Sequence, residues 1–177
     1  MSEAIKLGFA PFSTPEKGVL VVFADDALQF GPQTRAVLKA TGDLIARAAE
    51  SEGFKGKLGT ALEIVHPAAL PLARLVVLGV GKPEELKPRD YVRIGGIAAG
   101  KLGGATREAT IFCEFPRGPL KPDQAADIGL GVRLRSYRFD RYKTKRKDDE
   151  EHNPNGKVTL ATRDVAAARK AARVREA

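Results

Sequence analysis

Two uninterrupted apolar runs constrain this chain more than anything else in it: Gly18-Val-Leu-Val-Val-Phe23 and Arg74-Leu-Val-Val-Leu-Gly79. Neither alternates apolar with polar residues, so each is expected to be a strand buried on both faces, and a sheet built on such strands needs helices on both sides. The segments between them supply those helices. Val37, Leu38, Thr41, Leu44, Ile45, Ala48 and Ala49 recur at spacings of one, three and four, which predicts an amphipathic helix opening near Pro32 and stopping before Gly53. Pro88 suits the first turn of a second helix reaching about Leu102, because proline's missing N–H costs nothing there. Gly95, Gly96 and Gly100 fall inside that helix, each about 1 kcal/mol poorer than alanine, and are expected to let it approach the sheet closely. Glu108–Phe115 reads as a third central strand, and Pro122-Asp123 opens a helix with Ala125, Ile128, Gly129 and Val132 on one face.

Ile5–Phe9 and Thr60–Val65 are weaker strand candidates, and Val158–Ala161 is a short strand after the Asn153-Pro154-Asn155-Gly156 turn signal. The alanine-rich stretch Arg163–Ala177 is helical by propensity and meets no stop signal; its apolar face is thin, chiefly Val165, Ala168 and Ala172. Strands alternating with helices of this length define an α/β fold, a three-layer sandwich with a mixed, largely parallel sheet flanked by helices. Its 177 residues, 43 % of them hydrophobic, suffice for one core. We expect one domain over residues 1–162, with 163–177 as the start of a linker helix.

Composition excludes several kinds of chemistry. Cys113 is the single cysteine, and His66 and His152 lie far apart, so neither an internal disulfide nor a His/Cys metal centre is expected. The longest apolar runs are too short to span a bilayer, and the amino terminus has no basic start or long apolar core of a secretory signal. No membrane association and a cytoplasmic location follow as expectations. Gly79-Val-Gly-Lys-Pro83 invites a phosphate-loop reading, but Pro83 removes a backbone donor and no Ser or Thr follows Lys82; we read it as a strand-ending turn. Asp25 and Asp26 could bind a metal or act as an acid and base pair, yet no second acidic group, histidine or nucleophile accompanies them, and a polar turn is the better reading. His66 reads as a loop residue and Cys113 as a small hydrophobe.

Net charge is +8, and the basic residues concentrate between Arg133 and Lys147. Arg138, Arg141, Lys143, Lys145, Arg146 and Lys147, with Tyr137, Phe139 and Tyr142 among them, are the candidate contact residues. They suit a nucleic-acid surface that grips phosphates and stacks on bases. They equally suit an assembly surface or a solvated loop, since the acidic run Asp148–Glu151 partly neutralises them.

Three stretches carry a resemblance. They are Leu-Val-Val-Leu-Gly-Val-Gly-Lys82, Gly96-Ile-Ala-Ala-Gly-Lys-Leu102, and Gly131-Val-Arg-Leu-Arg-Ser-Tyr-Arg-Phe-Asp-Arg-Tyr-Lys-Thr144. In this order, followed by a short strand and an alanine-rich helix, they resemble the amino-terminal domain of the leucyl (cytosol) aminopeptidase family. The resemblance implies a macro-domain-like α/β module ahead of a larger catalytic domain. The parent enzyme would be a hexameric exopeptidase that removes amino-terminal residues from peptides with two divalent ions, manganese or zinc. The family's metal ligands and catalytic residues belong to that later domain, and its Asn-Thr-Asp-Ala-Glu-Gly-Arg motif is absent here. No residue of this chain inherits a catalytic or metal-binding role, and the chain is expected to bind no cofactor of its own. The expected partners are its own catalytic domain and further copies of the enzyme, with DNA as an additional one. A macro-like module that binds ADP-ribose is the alternative reading.

Overall fold

The computed structural model describes residues 5–102, 108–142 and 156–177, with side chains described except at 138–142. Six strands form one sheet: β1 (Lys6–Ala10), β2 (Val19–Ala24), β3 (Ala61–Val65), β4 (Arg74–Gly79), β5 (Glu108–Phe112) and β8 (Lys157–Ala161), in the order β1-β8-β5-β2-β4-β3. Every neighbouring pair is parallel except β3 with β4. All six residues of β2 are buried, as its unbroken apolar composition requires. Val19, Val21 and Phe23 enter one core and Leu20, Val22 and Ala24 the other, the period-two alternation of a strand placed between two helical layers. Burying each of these larger side chains contributes about 1.5–3 kcal/mol as an upper estimate.

The first core is closed by α3 (Pro88–Gly100), α4 (Pro122–Tyr142) and α5 (Val165–Glu176), the second by α1 (Pro32–Leu38) and α2 (Leu44–Glu52). The three-layer, mixed, mostly parallel architecture expected from the sequence is therefore present.

Local differences have identifiable causes. The helix expected from Pro32 to the residue before Gly53 is broken. After Leu38 the chain tightens into a 3-10 turn over Lys39–Thr41, Gly42 adopts φ 60°, and α2 restarts at Leu44. The Thr41 hydroxyl donates to the Leu38 carbonyl at 2.6 Å, taking an acceptor that helix continuation would use. The apolar periodicity runs through the break because α1 and α2 bury their faces in the same core.

The strand expected over Glu108–Phe115 ends at Phe112. Glu114–Phe115 (β6) turns away to pair with Gly118–Pro119 (β7) in a small hairpin. Of the glycines expected to bring α3 close to the sheet, only Gly95 makes a tight approach, and its neighbour is α4; a Cβ on Gly96 or Gly100 would meet only ordinary contacts. A Cβ on Gly95 would collide with the Ile128 carbonyl of α4, and one on Gly131 of α4 would collide with the Val92 carbonyl of α3. These residues bring two helix backbones together, rather than bringing a helix onto the sheet.

α5 is capped by Asp164, whose Oδ1 accepts from the Ala167 N–H at 3.0 Å. It buries Ala168 and Ala172 in the first core. Arg175 Nε reaches Asp127 Oδ1 at 2.6 Å, Arg133 pairs with Glu176 at 2.8 Å, and Arg169 donates to the Phe9 carbonyl at 3.2 Å. The Arg175 pKa is raised, first by its hydrogen bond to Asp127.

Candidate functional site

Open α/β sheets take ligands at the carboxyl ends of adjacent strands whose connections leave for opposite faces. Here those strands are β2, which leads to α1, and β5, which leads through the hairpin to α4. The crevice between them is filled by the protein itself. Glu114 is wholly buried, and its Oε1 accepts from the Thr34 backbone N–H at 2.5 Å. Gly31 packs so tightly against it that a Cβ there would lie 2.5 Å from the Glu114 Cδ and 2.7 Å from the Phe115 carbonyl oxygen. An acidic side chain thus occupies the turn where a ligand phosphate would sit.

The second candidate phosphate site is equally committed. The N–H groups of Gly79, Val80 and Gly81 donate to the carbonyls of Thr60, Ala24 and Gly56, leaving none of the three to cradle an anion. Asp25 is a turn residue: its Oδ1 accepts from Ala27 at 3.0 Å and from Gln29 at 2.8 Å. The strand-end readings of Asp25-Asp26 and Gly79–Pro83 agree with this geometry.

Among the described residues no other reactive group emerges. His66 is exposed in the turn after β3. Cys113 is fully buried, and burial pushes its thiol well above the usual range, away from the nucleophilic thiolate. The Tyr91 phenol is also raised, chiefly by burial and then by Asp90, and it accepts from Gln124 Nε2 at 3.1 Å. Among the described residues no group of three or more His, Cys, Asp or Glu side chains could hold a metal ion. Nor is any helix among the described residues long and apolar enough to cross a membrane.

The surface that stands out lies where α3 crosses α4. Gly96, Gly100 and Gly131 form the floor of an open groove of about 820 Å³, with Ile97, Leu134 and Tyr137 along it. Leu134 and Tyr137 are 51 % and 59 % exposed and sit three residues apart, on one side of the helix. Arg93 and Lys101 add positive charge to the groove, and Lys101 is partly offset by Glu63 at 3.6 Å. Of the predicted contact residues, Arg138 and Arg141 follow directly on the α4 backbone, their side chains lying outside the described residues. Lys143, Lys145, Arg146 and Lys147 also lie outside the described residues. Sequence reasoning stressed the charges and missed Leu134. Once the helix is drawn through Tyr142, the Leu134/Tyr137 pair on a mainly polar side becomes the visible signal.

Fold and site together define a macro-domain-like α/β module whose usual ligand crevice is closed and whose most distinctive free surface is a helical groove. Residues 19–146 match the cytosol aminopeptidase family, N-terminal domain. The chain belongs to that family. It is 50 % identical over 171 residues to a probable cytosol aminopeptidase of Rhodopseudomonas palustris (strain BisA53), covering 97 % of this chain and 34 % of that protein. It is 45 % identical to the corresponding Xanthobacter autotrophicus protein, covering 100 % of this chain and 35 % of that one. The chain thus spans about a third of the length of these relatives and corresponds to the family's N-terminal domain. Among solved structures, a tomato leucine aminopeptidase mutant superposes with a TM-score of 0.76 at 18 % identity, covering 99 % of this chain and 36 % of that one. An Oceanobacillus iheyensis macrodomain mutant superposes with a TM-score of 0.64 at 15 % identity, covering 96 % and 91 %.

Proposed function

We propose that this domain is the docking and assembly module of a cytoplasmic leucyl aminopeptidase. The parent would remove amino-terminal residues from peptides with two divalent ions, manganese or zinc, held entirely in its other domain. Residues 163–177 begin the linker helix towards that domain, and residues 1–162 form the module proper. The observation that carries the docking role is the exposed Leu134/Tyr137 pair over the glycine floor between α3 and α4. Side chains of this size exposed on the outer side of an amphipathic helix mark a surface that a partner covers. The occupant we assign is an apolar segment with acidic flanks from the remainder of the same polypeptide, since the groove carries Arg93 and Lys101 and this chain supplies about a third of its relatives' length. The completed molecule then assembles into the hexamer.

The test is to place Leu134→Asp with Tyr137→Asp in the complete polypeptide and follow its mass by light scattering and its resistance to limited proteolysis. The expected result is increased cleavage between the two domains, with loss of the full assembly. An unchanged particle with unchanged cleavage overturns the docking role.

DNA is the second partner considered, supported by the basic run that continues from Arg138 and Arg141 through Lys143, Lys145, Arg146 and Lys147. Weak binding with little sequence preference should then show a slope of about −0.9 in log affinity against log salt for each phosphate neutralised. It should flatten when Arg141, Lys143, Lys145 and Arg146 are replaced by alanine. Absence of binding even at low ionic strength leaves assembly as the sole role.

A further inference from the structure

The break between α1 and α2 opens a pocket that neither the aminopeptidase reading nor the docking groove uses. It has a volume of about 300 Å³ and lies beside the loop that follows β2. Phe30, Leu38, Ile45 and Phe54 provide apolar walls, and Arg35 and Lys39 stand at its edge, four residues apart on the same side of the chain. Leu38 and Phe54 are buried, Phe30 and Ile45 half-buried, and both cations exposed. No acidic side chain lines the pocket, and neither Arg35 nor Lys39 forms an ion pair among the described residues.

The wall is pre-formed. Leu28, which also lines the pocket, has φ 56°, a conformation unusual for a bulky side chain. It persists because the loop is pinned. Asp25 Oδ1 accepts from Ala27 and Gln29, the Leu28 N–H donates to the Asp25 carbonyl at 3.0 Å, and the Asp25 N–H donates to the Gln29 carbonyl at 3.3 Å. On the other side, the left-handed Gly42 and the Thr41 bond to Leu38 hold α2 away from the line of α1. Had the helix run on as the apolar periodicity predicts, α2 would follow the axis of α1 and this corner would not exist. A pocket with mostly apolar walls and a few fixed polar groups has the makings of a small-molecule site.

We propose that this pocket binds an apolar monocarboxylate: a compact hydrocarbon body against Phe30, Leu38, Ile45 and Phe54, and a carboxylate held by Arg35 and Lys39. The guanidinium fork pairs with both oxygens of one carboxylate, and the ammonium adds a second positive charge. A cationic head would be repelled, and an acetate-sized ion would bury no apolar surface.

The test titrates the chain with decanoate below its micellar range, reading a heteronuclear NMR spectrum and the melting temperature. Decylammonium and acetate are the controls. Saturable binding of one decanoate is expected, with shifts confined to the loop after β2, α1 and α2, and with neither control binding. Arg35→Ala with Lys39→Ala should weaken the affinity at least tenfold. Ala46→Trp, placed at an exposed lining position so that the fold is kept, should abolish binding with an unchanged far-ultraviolet spectrum. Non-saturable binding, equal binding of decylammonium, or decanoate binding unaffected by Ala46→Trp overturns the proposal. So does self-association of the chain through this face without uptake of decanoate.

Discussion

The two faces of the sheet are covered in different ways. On one, three helices of 12 to 21 residues lie over a large core, and α3 and α4 cross so closely that Gly95 and Gly131 have backbone where a side chain would be. On the other, a seven-residue and a nine-residue helix meet at a left-handed glycine and leave a pocket beside them. The same central strand feeds both cores, so the contrast comes from the helices and not from the sheet. Close packing of α3 on α4 gives the first face an outer groove to offer a partner. The looser second face keeps a half-open pocket of a small molecule's size.

Substitution at the two kinds of glycine is the strongest test of this contrast. Gly131→Val puts a side chain into the Val92 carbonyl and should cost more than about 3 kcal/mol by forcing α3 and α4 apart. Gly42→Ala meets open space and suffers only its backbone strain at φ 60° and ψ −124°, at a cost of about 1–3 kcal/mol. Chemical denaturation of both variants distinguishes these costs, and equal losses would mean that the two faces are equally tolerant.

A smaller effect should appear at alkaline pH. Burial raises the Cys113 thiol in the folded chain, so above the unfolded value of about 8.5 the unfolded state loses a proton that the folded state keeps. Stability should be fully present below that pH and fall by up to about 1.4 kcal/mol per pH unit above it, until the folded thiol itself ionises. Cys113→Ala should remove this component, which denaturation measured at several pH values would show. The smallest effect belongs to the end of the first face: Asp164→Ala removes the cap of α5 and should cost about 1 kcal/mol, visible as faster amide exchange over Val165–Ala168.

How legible each region was in the sequence follows the same division. Strands β2 and β4 were readable because an unbroken run of Val, Leu and Phe admits almost no other placement. The break between α1 and α2 was not, because apolar periodicity records which face is buried and remains in phase across a short interruption. The Gly42-Asp43 pair was the overlooked punctuation. Of the three glycines of α3, only Gly95 makes the close approach read from the sequence, and its neighbour is α4 and not the sheet, since a single helix's pattern does not say what lies across from it. Glu114 was hidden inside an apparent strand, and its role needs the three-dimensional meeting of the hairpin with Gly31 and Thr34. The charged stretch from Arg133 drew attention by composition, whereas the Leu134/Tyr137 pair emerges only once α4 is known to extend through Tyr142.

The proposed division of labour leaves peptide hydrolysis to another domain of the complete polypeptide, which this module serves. It is tested most directly by assaying the purified chain against leucine amide with excess manganese and then with excess zinc. No metal-dependent hydrolysis is expected from the chain alone, and hydrolysis is expected from the complete polypeptide under the same conditions. Metal-dependent turnover by the chain itself, in a preparation shown free of other peptidases, would contradict it.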